Sequence, residues 1–433
     1  MKGCLRIAVT VALSLSVATP LVTEVVAGGS AGAATSTAST IPAPPGLPAF
    51  YSVPKPLPRT FGQLIKSQVA PQQPLSNATS YQVMYTGAGA KGKSVAVTGL
   101  VVVPDGTPPA GGWPVVAWGH GTNGMADTCA PSLQSDGAIP GLSNLIDAGF
   151  AVVSSDYQGE GTPGLMPYIV GAAAAGDTIR IVSAAHSIPG VSLSNQYVVW
   201  GHSEGGQTAM FSLYGSSYYT NIADKNLQEV GVVAGAPPAL FSALYAFLVS
   251  SPYDYYLLMV AGSYQSYYGK KAAPVSSIMS KAGKKLLPVL DQGCSAYVKS
   301  AVDAAIAAVP GSTFASFVTT NPYSVPAWKT LLDENDPAQF TTPSSVPLLM
   351  IQGGSDAQIP AGLGQYLQGH ECSIGQQSQR WEYSGQSHAG VITPSYGDML
   401  TWIGDRFAGG TLPDPYVPTA GGDSTITITQ THC

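Results

Sequence analysis

The sequence predicts an α/β fold, a doubly wound and mostly parallel sheet interrupted by a helical insertion. Three observations predict it. From about residue 115, short apolar runs alternate with helix-compatible stretches, the rhythm of parallel strands joined by helical crossovers. One such run, Tyr197 to Trp200, passes through a glycine-rich turn straight into a helix that begins near Glu204. Between about Pro238 and Pro343 the rhythm stops, and apolar-faced helical stretches rich in tyrosine replace it.

Composition bounds the function. Of 433 residues, 45% are hydrophobic and only 10% charged, enough for a large core and too apolar for disorder. The formal net charge is -6 with no Lys/Arg run, which excludes nucleic acid as a partner class. No His/Cys set has metal-ligand spacing, and nothing points to a nucleotide or other cofactor.

The N-terminus reads as an export signal over residues 1–33. Lys2 and Arg6 form a charged start, Ile7 to Ala18 is apolar, and small residues follow, with cleavage near Ala27 or Ala33. The apolar stretch falls short of the roughly 20 residues a membrane span needs. The expected product is a secreted, extracellular monomer with no integral membrane segment. Residues 34–60 read as a Pro-rich arm lying along the surface.

The first part of the core is expected over 61–238. Runs rich in Val and aromatics read as strands at Ser80 to Thr86, Ser94 to Val103, Trp113 to Trp118, Phe150 to Ser154, Tyr197 to Trp200 and Val230 to Ala234. Residues 239–343 form the insertion, with helices expected at Ala239 to Val249, Ser251 to Ser266 and Val298 to Val309. Its place between two strands predicts a cap over the crevice at the strands' carboxyl ends. The core resumes over 344–408, with a strand at Leu348 to Gln352. Residues 409–433 form a tail with an edge strand at Ser424 to Thr429.

The chemistry is carried by Gly201-His202-Ser203-Glu204-Gly205-Gly206. A G-x-S-x-G pentapeptide between a strand and a helix is a nucleophile elbow: the serine must sit on a sharp turn, and the glycines at 201 and 205 let the backbone fold that tightly. A serine hydroxyl needs a base, and the base needs an orienting acid, in the chain order Ser, Asp/Glu, His. His388 ends a strand-like run in a small-residue loop; His370 and His432 read as surface histidines. Asp356 directly follows the strand at Leu348 to Gln352, whereas Asp333, Asp336, Asp398, Asp405 and an exposed Glu382 are placed less well. The oxyanion donors are expected to be the backbone N–H of Glu204 and an N–H of the loop after Trp118, Thr122 first and Gly121 second. His120 and His202 read as structural, His186 as exposed, and Asp156 to Gly161 as a structural loop facing the same crevice.

Once the leader is removed, four cysteines remain: Cys129, Cys294, Cys372 and Cys433. Three pairings are open in an exported protein. A terminal cysteine most simply ties the tail down, and Cys372 is the nearest partner of Cys433 in sequence.

Taken together, the sequence resembles the secretory lipase family of fungi and actinobacteria over most of the mature chain. The residues that carry the resemblance are Phe50-Tyr51, Pro54 and Pro58, Trp118-Gly119-His120-Gly121-Thr122 and Cys129-Ala130-Pro131-Ser132. The elbow and the following Gly235-Ala236-Pro237-Pro238 match as well. The resemblance implies an α/β-hydrolase core with a helical cap and cofactor-free hydrolysis of acylglycerols or other long-chain esters. It implies a triad of Ser203, Asp356 and His388, oxyanion donors at Thr122 and Glu204, and the disulfides Cys129–Cys294 and Cys372–Cys433. Some relatives carry an acidic residue where Thr122 stands, which concerns its side chain and not its backbone.

The expected function is therefore a triacylglycerol lipase acting on a lipid or ester substrate, with an oil–water interface as one setting for the reaction. The alternatives from the same core are a short-chain carboxylesterase, a polyester depolymerase or a peptidase. A non-catalytic binding protein is the reading from another class, and it would ordinarily lack one triad member.

Overall fold

The computed structural model describes residues 39–215, 218, 221–410 and 416–433. The export signal read at 1–33 lies outside the described residues. The described part of the arm is mostly exposed and is anchored at two points. Its strands β1 (Ser39–Ile41) and β2 (Val53–Lys55) pair antiparallel, and the intervening Phe50 and Tyr51 are buried.

The core is a ten-stranded sheet. Its central strands are β6 (Trp113–Gly119), β7 (Ala151–Ser155), β8 (Leu193–His202), β9 (Gln228–Gly235), β10 (Leu348–Gly353) and β11 (Ser378–Tyr383). They lie in the order β11-β10-β9-β8-β6-β7 and pair in parallel throughout. The antiparallel strands β3 (Leu64–Val69), β4 (Ala78–Ala88) and β5 (Ser94–Pro104) extend the β7 side, and β12 (Ile428–His432) closes the other edge.

Parallel strands covered on both faces should be apolar through their central positions; β6, β8 and β10 are, whereas β11 (Ser-Gln-Arg-Trp-Glu-Tyr) carries polar residues that are for the most part buried. Val115 and Ala117 of β6 face one apolar cluster with Tyr197 and Val199 of β8, while Val116, Trp118, Val198 and Trp200 face the other. Helices α2 (Gly171–Ala185), α3 (Glu204–Ser212) and α9 (Ala361–Ser373) contribute to the first cluster. Helices α1 (Leu142–Asp147) and α10 (Ile392–Phe407) contribute to the second. Helix α2 is buried almost along its whole length, so its alanine-rich sequence has no polar stripe from which a helical period could be read.

The expected edge strand at Ser424 to Thr429 is displaced toward the C-terminus. The run Ser-Thr-Ile-Thr-Ile-Thr-Gln-Thr alternates throughout, so the pattern alone leaves the start of pairing open. The Asp423 side chain accepts from the Thr425 backbone, turning the chain there, and Ser378 and Cys433 exchange backbone hydrogen bonds that fix the register from the far end.

Between β9 and β10 the chain forms α4 (Phe241–Leu248), α5 (Tyr255–Tyr268), α6 (Lys281–Lys284), α7 (Ser295–Ala307) and α8 (Pro326–Glu334). Leu258, Met259, Val298, Phe314 and Trp328 build a cluster of their own, shared with Met125, Tyr157, Met166 and Tyr168. Those four belong to the segments that follow β6 and β7, so the inserted helices pack on loops at the carboxyl ends of the parallel strands. Both ends of the insertion are anchored together. The Asp336 carboxylate accepts from the Leu240 and Phe241 N–H groups at 2.9 and 2.7 Å, and the Asn335 carbonyl accepts from Gln207 of α3 at 2.6 Å.

Candidate active site

The elbow is built by close backbone approach. A Cβ on Gly201 would lie 2.0 Å from the Gly205 carbonyl oxygen, so neither strand end nor helix start tolerates a side chain there. Ser203 sits between them with φ 62° and ψ -122°, a strained left-handed value for a non-glycine residue. Its N–H donates to the Gly235 carbonyl at 2.9 Å, which ties the turn to the end of β9. Glu204 is the first residue of α3, where a backbone N–H has no intrahelical acceptor.

The loop after β6 closes on this turn. A Cβ on Gly121 would stand 3.2 Å from the His202 carbonyl oxygen and 3.5 Å from Ser203 Cβ. Thr122 follows, its hydroxyl 3.0 Å from the Tyr168 hydroxyl. The disulfide Cys129–Cys294, with Cα atoms 5.5 Å apart, and a Ser295 N–H donated to the Asn123 carbonyl at 2.7 Å hold this loop against the start of α7. The other two cysteines, Cys372 and Cys433, also pair.

Asp356 and His388 meet across two strand-end loops. His388 Nδ1 lies 2.6 Å from Asp356 Oδ2, and the carboxyl is fully buried. Oδ1 accepts from the N–H groups of Gln358 and Ile359 at 2.8 and 2.9 Å, and Oδ2 also accepts from Gln352 Nε2 at 3.0 Å. Both oxygens of the acid are thus engaged, and its orientation is fixed. The opposite ring nitrogen, His388 Nε2, is buried without a hydrogen-bond partner among the described residues. The His388 ring packs on His202, centroids 4.6 Å apart, which sets it beside the elbow. Burial, with a smaller contribution from His388, pushes the His202 imidazole down to about 3, so His202 stays neutral and buttresses rather than titrates.

The remaining predicted positions fall into place with three corrections. His186, expected to be exposed, is largely buried, with its ring nitrogens 2.9 and 3.2 Å from the Val182 and Ser194 carbonyl oxygens. His370, expected at the surface, is tied by Nε2 to the Phe340 carbonyl at 2.7 Å, because β10's lead-in crosses over α9. Glu382 is only partly exposed and pairs with Arg380 two residues away on the same strand face. Asp156 carries the structural role expected of its loop: it is buried and accepts from the backbone N–H of Ser132 at 2.8 Å. Sequence reasoning missed Gln352, whose amide reaches Asp356 four residues on, and Tyr168 and Asn335, which meet partners in distant segments with no spacing to betray them.

Ser203 and Glu204 line an apolar cavity with about 970 Å³ of empty space, counted out to its open mouth. Tyr168 lines it from the segment before α2, and Phe241, Leu248, Val260, Met279 and Trp328 line it from the inserted segment. Below the elbow is a buried polar group without a cation. Burial pushes His120 down to about 4 and raises the Glu160 carboxyl, 4.0 Å away, well above its ordinary value. His120 Nδ1 donates to the Gly121 carbonyl at 2.8 Å, which pins the donor loop.

A sequence profile of the secretory lipases matches residues 126–414. The chain belongs to the secretory lipase family. As a family member it is a carboxylic ester hydrolase, and the family's secretory character fits the two disulfides. No helix among the described residues is long and apolar enough to cross a membrane. Among solved structures, Candida antarctica lipase A is 19% identical with a TM-score of 0.66, covering 83% of this chain and 84% of that one. The rice cell wall degrading esterase LipA from Xanthomonas oryzae is 19% identical with a TM-score of 0.64, over 80% of this chain and 98% of that one. At such identity these neighbours show a shared α/β-hydrolase fold. No curated protein sequence matches significantly. The profile match begins after Thr122, so the donor loop rests on the geometry alone.

Proposed function

We propose that this secretory lipase hydrolyses long-chain acyl esters, triacylglycerols foremost, through an acyl-enzyme on Ser203. The observation that carries the reading is that Ser203 lines a cavity walled almost wholly by apolar side chains. Each methylene buried there contributes about 0.8 kcal/mol, and a water-soluble acetyl group would leave most of the cavity unused. The inserted helices are then a cap that holds the acyl chain.

In this reading Ser203 Oγ attacks the ester carbonyl while His388 Nε2 takes its proton. Asp356, fixed by three other hydrogen bonds, holds the imidazole in the tautomer that leaves Nε2 free to accept. The N–H groups of Thr122 and Glu204 stabilise the tetrahedral oxyanion, and losing either would cost roughly 3 kcal/mol. His388 returns the proton to the leaving alcohol, and a water activated by the same nitrogen then releases the acid. Export through the leader at 1–33 places this chemistry outside the cell.

Hydrolysis rates across p-nitrophenyl esters from acetate to palmitate, with emulsified triolein, test the substrate class. Rates that persist to palmitate and triolein support a lipase. Activity confined to acetate and butyrate would make the protein a short-chain esterase and leave the cavity without an acyl role.

A further inference from the structure

The turn that orients Asp356 is held from two sides. Asp356 Oδ1 accepts from the Gln358 and Ile359 N–H groups, so the carboxyl is only as well placed as those two peptides. From the sheet, Gln352 of β10 donates its amide to the Ile359 carbonyl at 3.1 Å. From the inserted segment, Tyr256 of α5 donates its hydroxyl to Gln358 Oε1 at 2.9 Å. The Ile359 side chain sits in the apolar cluster of the inserted helices. Helix α5 is itself fastened elsewhere. About two turns past Tyr256, Ser263 and Tyr264 donate to the Tyr168 and Ile169 carbonyls at 3.0 and 3.1 Å. The Tyr256 ring is packed by Tyr255 and Tyr168, centroids 4.3 and 6.3 Å away. Tyr256 and Gln358 both line the cavity that Ser203 lines.

We propose that Tyr256 and Gln358 are a positioning pair through which the inserted helices orient Asp356 and, through it, His388. The proposal rests on the reading of Ser203, His388 and Asp356 as a triad. The Gln358 side chain accepts from the inserted segment while the N–H of the same residue donates to the acid. A restraint on the one therefore restrains the other. Without the Tyr256 hydroxyl, the inserted helices hold the turn through the packing of Ile359, and apolar packing is non-directional. The Gln358 peptide can then rotate, and Asp356 loses the fixed orientation that holds the imidazole in its working tautomer. The inserted helices thus complete the catalytic geometry as well as enclosing the acyl site.

The test is a mutant cycle on the full chain with p-nitrophenyl acetate and palmitate, each variant checked by a thermal melt. Y256F removes the hydroxyl and keeps the ring; Q358M removes the acceptor and keeps the backbone N–H. Each should lower kcat about three- to tenfold on both esters with KM unchanged, the loss expected for one hydrogen bond. The double variant should lose no more than the worse single one. Added to D356N, which no longer fixes the tautomer, Y256F should cost nothing further. Wild-type kcat in both single variants overturns the inference. A loss confined to palmitate, or carried by KM, also overturns it and makes the pair a wall of the acyl site. So does a loss from Y256F that is as large in D356N as in the wild type. D356N alone separates this inference from the reading beneath it. Should D356N keep full turnover, the triad reading fails; should it fall about 10⁴-fold while Y256F and Q358M run at the wild-type rate, only the role of Tyr256 and Gln358 fails.

Discussion

Gly205 of α3 and Gly119 at the end of β6 touch backbone to backbone: a Cβ on Gly205 would lie 1.8 Å from the Gly119 carbonyl oxygen. The contact joins the helix after Ser203 to the loop after β6, so Ser203 and the proposed oxyanion loop share one spacing. Adding a single methyl must push them apart.

Gly205→Ala is therefore expected to act on chemistry as well as stability. A displacement of the order of 1 Å at a reacting centre costs about 100-fold in rate, and overpacking costs about 1–3 kcal/mol. Steady-state kinetics with a parallel thermal melt should show kcat falling about 100-fold in a chain that still folds. Wild-type kcat in G205A would mean that the two backbones move apart without consequence.

Asp356→Asn keeps the shape of the acid and removes its charge. Gln358 and Ile359 can still donate to the amide oxygen, so the melt should shift little. The imidazole, however, loses the acceptor that fixes its tautomer, and kcat should fall about 10⁴-fold. An equal fall in stability would assign Asp356 a mainly structural role.

Stability should be greater in mild acid than at alkaline pH. Glu204 and Glu229 are raised to about 8, Glu371 to about 7, and Asp156 and Asp177 to about 6, all chiefly by burial. A folded-state pKa above the unfolded value means that the folded chain binds more protons between the two. Unfolding then becomes easier as pH rises through that window. For each group the loss reaches at most about 1.4 kcal/mol for every pH unit separating its folded and unfolded pKa. Melting temperature should decline steadily from pH 5 to pH 8.5. A maximum at pH 8 or above would contradict the burial of these acids in neutral form.

The disulfide Cys129–Cys294 closes the longer of the two covalent loops, with a sequence separation of 165, and clamps the donor loop to α7. Replacing both cysteines with alanine should lower stability by about 3–5 kcal/mol. It should also reduce kcat/KM by loosening the Asn123–Ser295 contact. Removing Cys372–Cys433, which ties only the tail and α9, should lower stability with little change in kcat. Equal kinetic effects from the two pairs would separate the disulfide from the site.

Much of this was legible in the sequence because the fold repeats a local grammar. Ser203 and Asp356 each follow a short apolar run and His388 a strand-like run, and all three stand in glycine-containing loops, so strand ends locate them. The parallel strands themselves announce burial by being apolar at consecutive positions. What could not be read depends on covering from far along the chain. His370 looks like a surface histidine because the Phe340 carbonyl it meets lies on another segment, and His186 because the Ser194 carbonyl that holds its second nitrogen lies beyond the end of its helix. Helix α2 carried no period because both of its faces are buried. The last strand slipped because its threonine–isoleucine alternation is uniform and only the tether at Cys433 sets its register.

The most direct measurement of the central claim is covalent labelling with a long-chain alkyl fluorophosphonate, mapped by mass spectrometry on the intact and digested chain. The expected result is one adduct per molecule, on the peptide that contains Ser203, forming in step with loss of esterase activity and absent from S203A. An adduct on another residue, or full activity in a chain labelled at Ser203, would contradict the assignment of Ser203 as the nucleophile.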